Sequence, residues 1–240
     1  MAKGNKILIA MAAGSGSRMR SATPKQFLDL GGKPILRRTI ESFISAEPDI
    51  RVITVLPKDH ISFWKEYCLS ADFNYPQLLV QGGFTRFHSV RNALERVPEG
   101  AVVAIHDGVR PLVSPGLIKK MFSLMSTRKC RALIPVLPSI DTLRILDRRV
   151  DDSGVETLTA SEEELDRSRV YRVQTPQMFV SEDIKAAYSQ AFDTSFTDDA
   201  SVASKKGIPL SFCEGERYNF KLTSPEDLEM ARMIISSSRQ

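Results

Sequence analysis

A chain of 240 residues, 42% of them hydrophobic, has the apolar content for one substantial core and no polar stretch long enough to link two, so a single domain over 1–240 is expected. Its 33 Lys and Arg against 29 Asp and Glu leave a formal charge of +4 without a basic run, which argues against nucleic acid and for a small anionic substrate. Three widely spaced cysteines, Cys68, Cys130 and Cys213, with no CxxC pair, read as reduced thiols of a cytoplasmic protein, and no apolar run reaches membrane-spanning length.

The first predicted element is a strand over 6–11. Ala10-Met11-Ala12 nominally fits a leader cleavage site, but the apolar stretch before it is too short for a leader and runs directly into a glycine-rich loop. That loop, AAGSGSRMRSATPKQ over 12–26, follows the strand with Gly14 and Gly16 in a Gly-x-Gly turn and carries Arg18 and Lys25. Such a turn lets backbone N–H groups close on an anion, and the two cations add fixed charge where a polyphosphate would lie. No Gly-Lys-Ser/Thr closes the loop as in a Walker motif, and Met19 stands where a dinucleotide fingerprint has its third glycine.

Further along, Leu36, Ile40 and Phe43 mark one helical face, followed by strands over 51–56 and 78–81. Phe87, Val90, Leu94 and Val97 mark a second helix, before a strand over 101–105. Leu117, Met121 and Leu124 mark a third, before a strand over 131–137. Thr223-Ser224-Pro225-Glu226 supplies a cap, a first-turn proline and an early acid for a last helix with Leu228, Ala231 and Ile235 on its buried side. The alternation predicts an α/β fold, a mostly parallel Rossmann-like sheet with helices on both faces. The charged stretch 139–169 interrupts it, with an Asp-Asp-Ser-Gly turn at 151–154, and predicts a protruding β-hairpin arm. Such an arm is either a solvated excursion or an embrace of a second subunit, since an isolated hairpin is marginal in water.

Ligands of an open parallel sheet collect at the carboxyl ends of its strands. Asp107, just beyond the strand over 101–105, is therefore either a magnesium ligand beside a polyphosphate or a cap of the following turn. Gly82 and Gly83, with Arg86 and Ser89 opening the next helix, are placed to meet a nucleotide's base or sugar.

Eight motifs occur in order along nearly the entire chain. They are AAGxGxRM at 12–19, Pro24-Lys25-Gln26, Gly82-Gly83-x-x-Arg86-x-x-Ser89-Val90, His106-Asp107-x-x-Arg110-Pro111, Asp141-Thr142, Thr175-Pro176-Gln177, Thr197-Asp198, and Phe220-Lys221-x-Thr223-x-Pro225-Glu226-Asp227-Leu228. Together they resemble the 2-C-methyl-D-erythritol 4-phosphate cytidylyltransferase family. The resemblance implies that the 4-phosphate of methylerythritol phosphate attacks the α-phosphorus of CTP and expels pyrophosphate, with a divalent cation such as Mg2+, in non-mevalonate isoprenoid biosynthesis. By matching position, Arg18 and Lys25 would stabilise the pentacoordinate α-phosphate, and Arg167 and Lys221 would hold the sugar phosphate. Asp107 would organise the magnesium or the substrate hydroxyls. Ala12, Ala13, Gly14, Gly16, Gly82, Arg86, Ser89 and Arg110 would contact substrate, and Thr175 and Thr197 would line the pocket. The resemblance further implies a homodimer in which Thr142, on the arm, reaches the neighbouring subunit's site while Arg167 serves its own. Tyr218-Asn219-Phe220 departs from the family pattern and leaves Asn219, not a second carboxylate, as an oxygen donor near Lys221.

The chemistry agrees with the residues. A phosphate monoester is already ionised at neutral pH, so His60, His88 and His106 need not act as bases, and no Ser-His-Asp or Cys-His arrangement is evident. A cytidylyltransferase for another polyol phosphate, such as ribitol 5-phosphate, is the nearest alternative, against which Ala12-Ala13 and Ser89 count. A nucleotide-sugar glycosyltransferase would want Asp-x-Asp where His106-Asp107-Gly108 stands, and a dinucleotide oxidoreductase would want an acid where Leu56-Pro57 stands. A noncatalytic nucleotide-binding module would release no pyrophosphate.

Overall fold

In the computed structural model, which describes residues 5–14 and 23–237, the chain begins with β1 (Lys6–Met11), α1 (Ile35–Ala46), β2 (Arg51–Leu56), α2 (Ile61–Ser70), β3 (Gln77–Gln81) and α3 (Arg86–Leu94). β4 (Val102–Asp107), α4 (Pro115–Thr127) and β5 (Ala132–Pro138) follow, then the arm strands β6 (Leu146–Val150) and β7 (Glu156–Ala160). The chain closes with β8 (Tyr171–Val173), β9 (Gln177–Val180), α5 (Ser181–Tyr188), α6 (Asp199–Lys205), β10 (Leu210–Glu214) and α7 (Pro225–Ser237). Gly16 and Arg18 lie outside the described residues.

The main sheet runs β10-β5-β9-β4-β1-β2-β3, with β8 added on β5. β3, β2, β1 and β4 are mutually parallel, as are β5 and β10, while β9 enters antiparallel between β4 and β5. Successive strand residues point to opposite faces, and both faces are covered. Leu8 and Ala10 pack with Leu36, Ile40, Phe43 and Trp64, whereas Ile7, Ile9 and Met11 pack with Phe87, Val90, Leu94 and Tyr188. The uninterrupted apolar runs thus reflect burial on two sides. A smaller cluster of Leu30, Ile35, Val109, Leu222, Leu228 and Ala231 fastens α7 to the end of the sheet. Ser224 caps that helix, its Oγ accepting from Asp227 N–H at 3.4 Å, while Asp227 Oδ2 reaches back to the Thr223 and Ser224 amides at 2.7 and 2.9 Å.

Two boundaries differ from expectation in ways that matter. β4 extends to Asp107, so that carboxylate ends the strand instead of following it. In α4 the buried row is Leu117, Met121 and Met125 with Ile118 and Phe122, and Leu124 is only partly covered. A spacing of four, not three, closes that stripe. β9 was not legible because only four residues separate Pro176 from α5.

The hairpin forms where the turn sequence placed it. β6 and β7 pair antiparallel from Leu146↔Ala160 to Val150↔Glu156. Asp151 Oδ1 accepts from the Ser153 and Val155 amides, both at 2.9 Å, and Gly154 adopts φ 80°, which closes the turn. All ten strand residues are exposed, including Leu146, Val150 and Leu158.

Candidate active site

The site is assembled at the carboxyl ends of β1, β3 and β4. Beyond β1, Ala12 N–H continues the ladder to Val55 O at 2.9 Å, and the buried Gln26 donates through Nε2 to Ala12 O at 3.0 Å. That bond fastens the far end of the loop to its start and brings Lys25 back beside Gly14. A short 3-10 turn at Lys25–Phe27 is anchored by the Phe27 ring, which packs on Phe63 and Trp64.

The loop after β3 abuts the first one closely enough that glycine is required. A Cβ on Gly82 would stand 2.6 Å from Ala13 Cβ, and one on Gly83 would stand 2.5 Å from His88 Cβ. Gly83 N–H donates to Ser89 Oγ at 3.0 Å, and Ser89 Oγ donates to Thr85 O at 2.9 Å, while Thr85 Oγ1 caps α3 by accepting from His88 N–H. These bonds explain why Arg86 and Ser89 open the helix facing the cleft.

Between the loops lies a cleft of about 350 Å³ whose walls include Ala12, Ala13, Gly14, Lys25, Gly83, Phe84, Arg86, Ser89, Asp107 and Lys221. Asp107 is its single acidic residue among those described. Lys221 Nζ and Arg110 Nε each lie 3.1 Å from Asp107 Oδ2. Burial pushes the Asp107 carboxyl up, but the charges of Arg86, Lys221 and Arg110 outweigh it and hold the group well below the ordinary carboxylate range. Asp107 is therefore an anion set among cations.

His106 stands behind it. Thr175 Oγ1 accepts from Asp107 N–H at 3.1 Å and lies 3.0 Å from His106 Nδ1, while His106 Nε2 lies 3.2 Å from Arg110 O. The arrangement suits a neutral imidazole with its proton on Nε2, donating to the Arg110 carbonyl and accepting from the Thr175 hydroxyl. Burial agrees, lowering its pKa to about 4 against the pull of Asp107. With both ring nitrogens engaged, His106 braces the strand end and is not free to take a proton.

Arg86 has a partner that the sequence did not disclose. Its Nη1 and Nη2 donate to Asp199 Oδ1 and Oδ2 at 2.7 and 2.6 Å, and Tyr188 OH donates to Asp199 Oδ1 at 2.5 Å. Asp199 is wholly buried, so removing it strands a guanidinium and a phenol together. Asp199→Ala is expected to cost about 3–5 kcal/mol, read as a lower midpoint in urea unfolding. A midpoint within error of wild type would show that the clamp contributes nothing to folding.

The expected site residues divide by place. Ala12, Ala13, Gly14, Lys25, Arg86, Ser89, Asp107 and Lys221 line the cleft, and Gly82 supports it from behind. Arg110 is turned into the protein, with Nη1 on Asn219 O at 2.8 Å as well as Nε on Asp107, so it braces the carboxylate. Thr175 likewise bonds to His106 and Asp107, and Thr197 is exposed ahead of α6 with its amide on Ser201 Oγ. Thr142 and Arg167 belong to the arm. Arg167 donates to the carbonyls of Ser139 and Ile140, beside the segment that carries Thr142. Asn219 is buried, with Nδ2 on Thr175 O at 2.8 Å, and among the described residues nothing bonds its Oδ1. Asp199 and Phe84 were missed. Asp199, the second Asp after Thr197, was the one available signal for a carboxylate partner in that segment.

Comparison with known proteins gives the family. The family profile described as 2-C-methyl-D-erythritol 4-phosphate cytidylyltransferase matches residues 6–237. Proteins of that name from Bacteroides fragilis and Bacteroides thetaiotaomicron are 43% and 42% identical, each over 95% of this chain and 98% of the relative. The crystal structure of 4-diphosphocytidyl-2C-methyl-D-erythritol synthase from Anaerococcus prevotii superposes with a TM-score of 0.74 at 29% identity, covering 97% of this chain and 99% of that one. The 2-C-methyl-D-erythritol 4-phosphate cytidylyltransferase of Thermus thermophilus gives 0.69 at 29% identity over 96% and 98%. With Gly14, Lys25, Arg86, Ser89, Asp107 and Lys221 of its motifs on one cleft and its profile matched from β1 to α7, this chain belongs to the 2-C-methyl-D-erythritol 4-phosphate cytidylyltransferase family.

Proposed function

We propose that the chain transfers the cytidylyl group of CTP to 2-C-methyl-D-erythritol 4-phosphate, giving 4-diphosphocytidyl-2-C-methyl-D-erythritol and pyrophosphate in the non-mevalonate route to isoprenoids. The observation that carries this reading is a cleft in a chain of this family where Gly14, Lys25, Asp107 and Lys221 meet. A phosphate oxygen of the sugar phosphate forms a bond to the α-phosphorus as the bond to the bridging oxygen breaks, and its electron pair leaves with pyrophosphate. No proton need move, which suits a site whose histidine is neutral and engaged. The protein's task is alignment and charge: Lys25 faces the phosphates of CTP, and Lys221 meets the incoming phosphate.

The residues fit a magnesium ion held mainly by phosphate oxygens and water. The cleft offers one ionised carboxylate, Asp107, and among the described residues no group of three His, Cys, Asp or Glu side chains is gathered as a metal cage. Bound there, the cation would neutralise charge on the triphosphate. We further propose a homodimer, supported by uncovered apolar side chains on the hairpin and by the placement of Thr142 and Arg167 on it, and a cytoplasmic location, supported by the cysteine usage.

The test is pyrophosphate release from CTP and magnesium with a panel of polyol phosphates. Release with methylerythritol phosphate well above that with ribitol 5-phosphate is the expected result. Release with ribitol 5-phosphate alone would move the substrate assignment, and none with any acceptor would overturn transfer.

A further inference from the structure

We propose that the ring of Phe84 closes over the nucleobase of the bound nucleotide, a reading that rests on the cytidylyl transfer proposed above. Phe84 is 102% exposed, yet it belongs to the wall of the cleft, between Gly83 and Thr85. A phenyl ring left wholly in water regains free energy when a flat, weakly hydrated surface covers it. A nucleobase is such a surface.

The order of strands says which part of the nucleotide arrives there. The cleft crosses the strand ends in the order β4, β1, β2, β3. Asp107 ends β4 with Lys221 on its carboxylate, and Gly14 and Lys25 follow β1. This side holds the cations that suit a triphosphate and its metal. At the β3 side the cation is Arg86, and its fork is occupied by the buried Asp199 carboxylate. Its two-pronged face is therefore not available to a phosphate. The triphosphate therefore takes the β4 and β1 side, and the uncharged base extends toward Phe84 and Ser89.

The ring is held near that position. Gly83 N–H is bound to Ser89 Oγ at 3.0 Å, which fixes the backbone immediately before Phe84. The ring meets His88 edge-on, with centroids 6.5 Å apart and planes at 84°, while His88 Nδ1 lies 2.8 Å from Thr85 Oγ1. The ring is open to solvent at the wall of the cleft and so is open to a base.

Phe84→Ala, Phe84→Leu and Phe84→Trp are compared with wild type. The Michaelis constant for CTP is expected to rise about five- to fiftyfold in the alanine variant, to remain raised in the leucine variant and to recover in the tryptophan variant, since stacking needs an aromatic face. The inhibition constant of inorganic triphosphate, a probe without a base, should stay at its wild-type value throughout. In Phe84→Trp, titration with CTP and magnesium should quench the new tryptophan emission while inorganic triphosphate does not, the signal of the native Trp64 being subtracted from wild-type protein titrated in parallel. An unchanged Michaelis constant in Phe84→Ala, equal losses for CTP and inorganic triphosphate, or no quenching would overturn the proposal. Wild-type protein that binds CTP but releases no pyrophosphate would overturn the transfer reaction instead, and the quenching would still report whether a base covers the ring.

Discussion

Lys25→Ala is expected to lower turnover by two to three orders of magnitude while leaving the fold intact. The side chain lines the cleft beside Gly14, and the turn that carries it is held by other groups: Gln26 bonds to Ala12 O, and Phe27 packs against Trp64. The local backbone therefore survives removal of the amine. The loss falls on the pentacoordinate α-phosphate, where charge is greatest; removing one preorganised donor from such a site costs about 3–4 kcal/mol. Ground-state binding of CTP should weaken far less. Single-turnover rates and CTP titrations separate the two effects. A turnover within a few-fold of wild type would take Lys25 out of the transition state. Arg18→Ala, in the same glycine-rich stretch of sequence, is expected to behave the same way, and Lys221→Ala to differ by raising the Michaelis constant for the sugar phosphate while CTP still binds.

How much of this was readable in the sequence depended on what each signal encodes. Strands buried on both faces write their pattern directly, and β1 and β2 run over 6–11 and 51–56 as the apolar runs indicate. The hairpin turn was legible because Asp151 and Gly154 each do a defined job in the backbone. The cleft residues Gly14, Arg86, Ser89 and Asp107 were legible because each follows or ends a strand or opens the helix after one, and Lys25 because it is a cation of the glycine-rich loop. Partnerships across the fold left no such mark. Arg86 and Asp199 are 113 positions apart, and neither shows from its neighbours that it is buried against the other. Arg110 and Thr175 matched motifs, but their side chains support Asp107 and His106, a distinction that spacing alone does not carry. Phe84 gave no signal because a single exposed aromatic in a loop has no periodicity.

The placement of Arg167 decides how a subunit-mixing experiment must be built. Its guanidinium is tied to the carbonyls of Ser139 and Ile140, so Arg167 and Thr142 travel on one arm. If that arm completes the partner's cleft, lesions at Thr142 and Arg167 in different subunits leave each mixed site with one defect, and activity does not return. A lesion on the arm paired with one in the cleft behaves otherwise. In a dimer of one Arg167→Ala subunit and one Lys25→Ala subunit, one site receives both defects and the other combines an intact cleft with an intact arm. Random exchange makes half the dimers mixed with one working site of two, so about a quarter of wild-type activity is expected from two nearly inactive parents. Recovery in this pairing, and none when Thr142→Ala is mixed with Arg167→Ala, would establish shared sites. Verified mixed dimers that stay inactive in the first pairing would show that each chain builds its site alone, and recovery in the second would mean that the two arm residues serve different clefts.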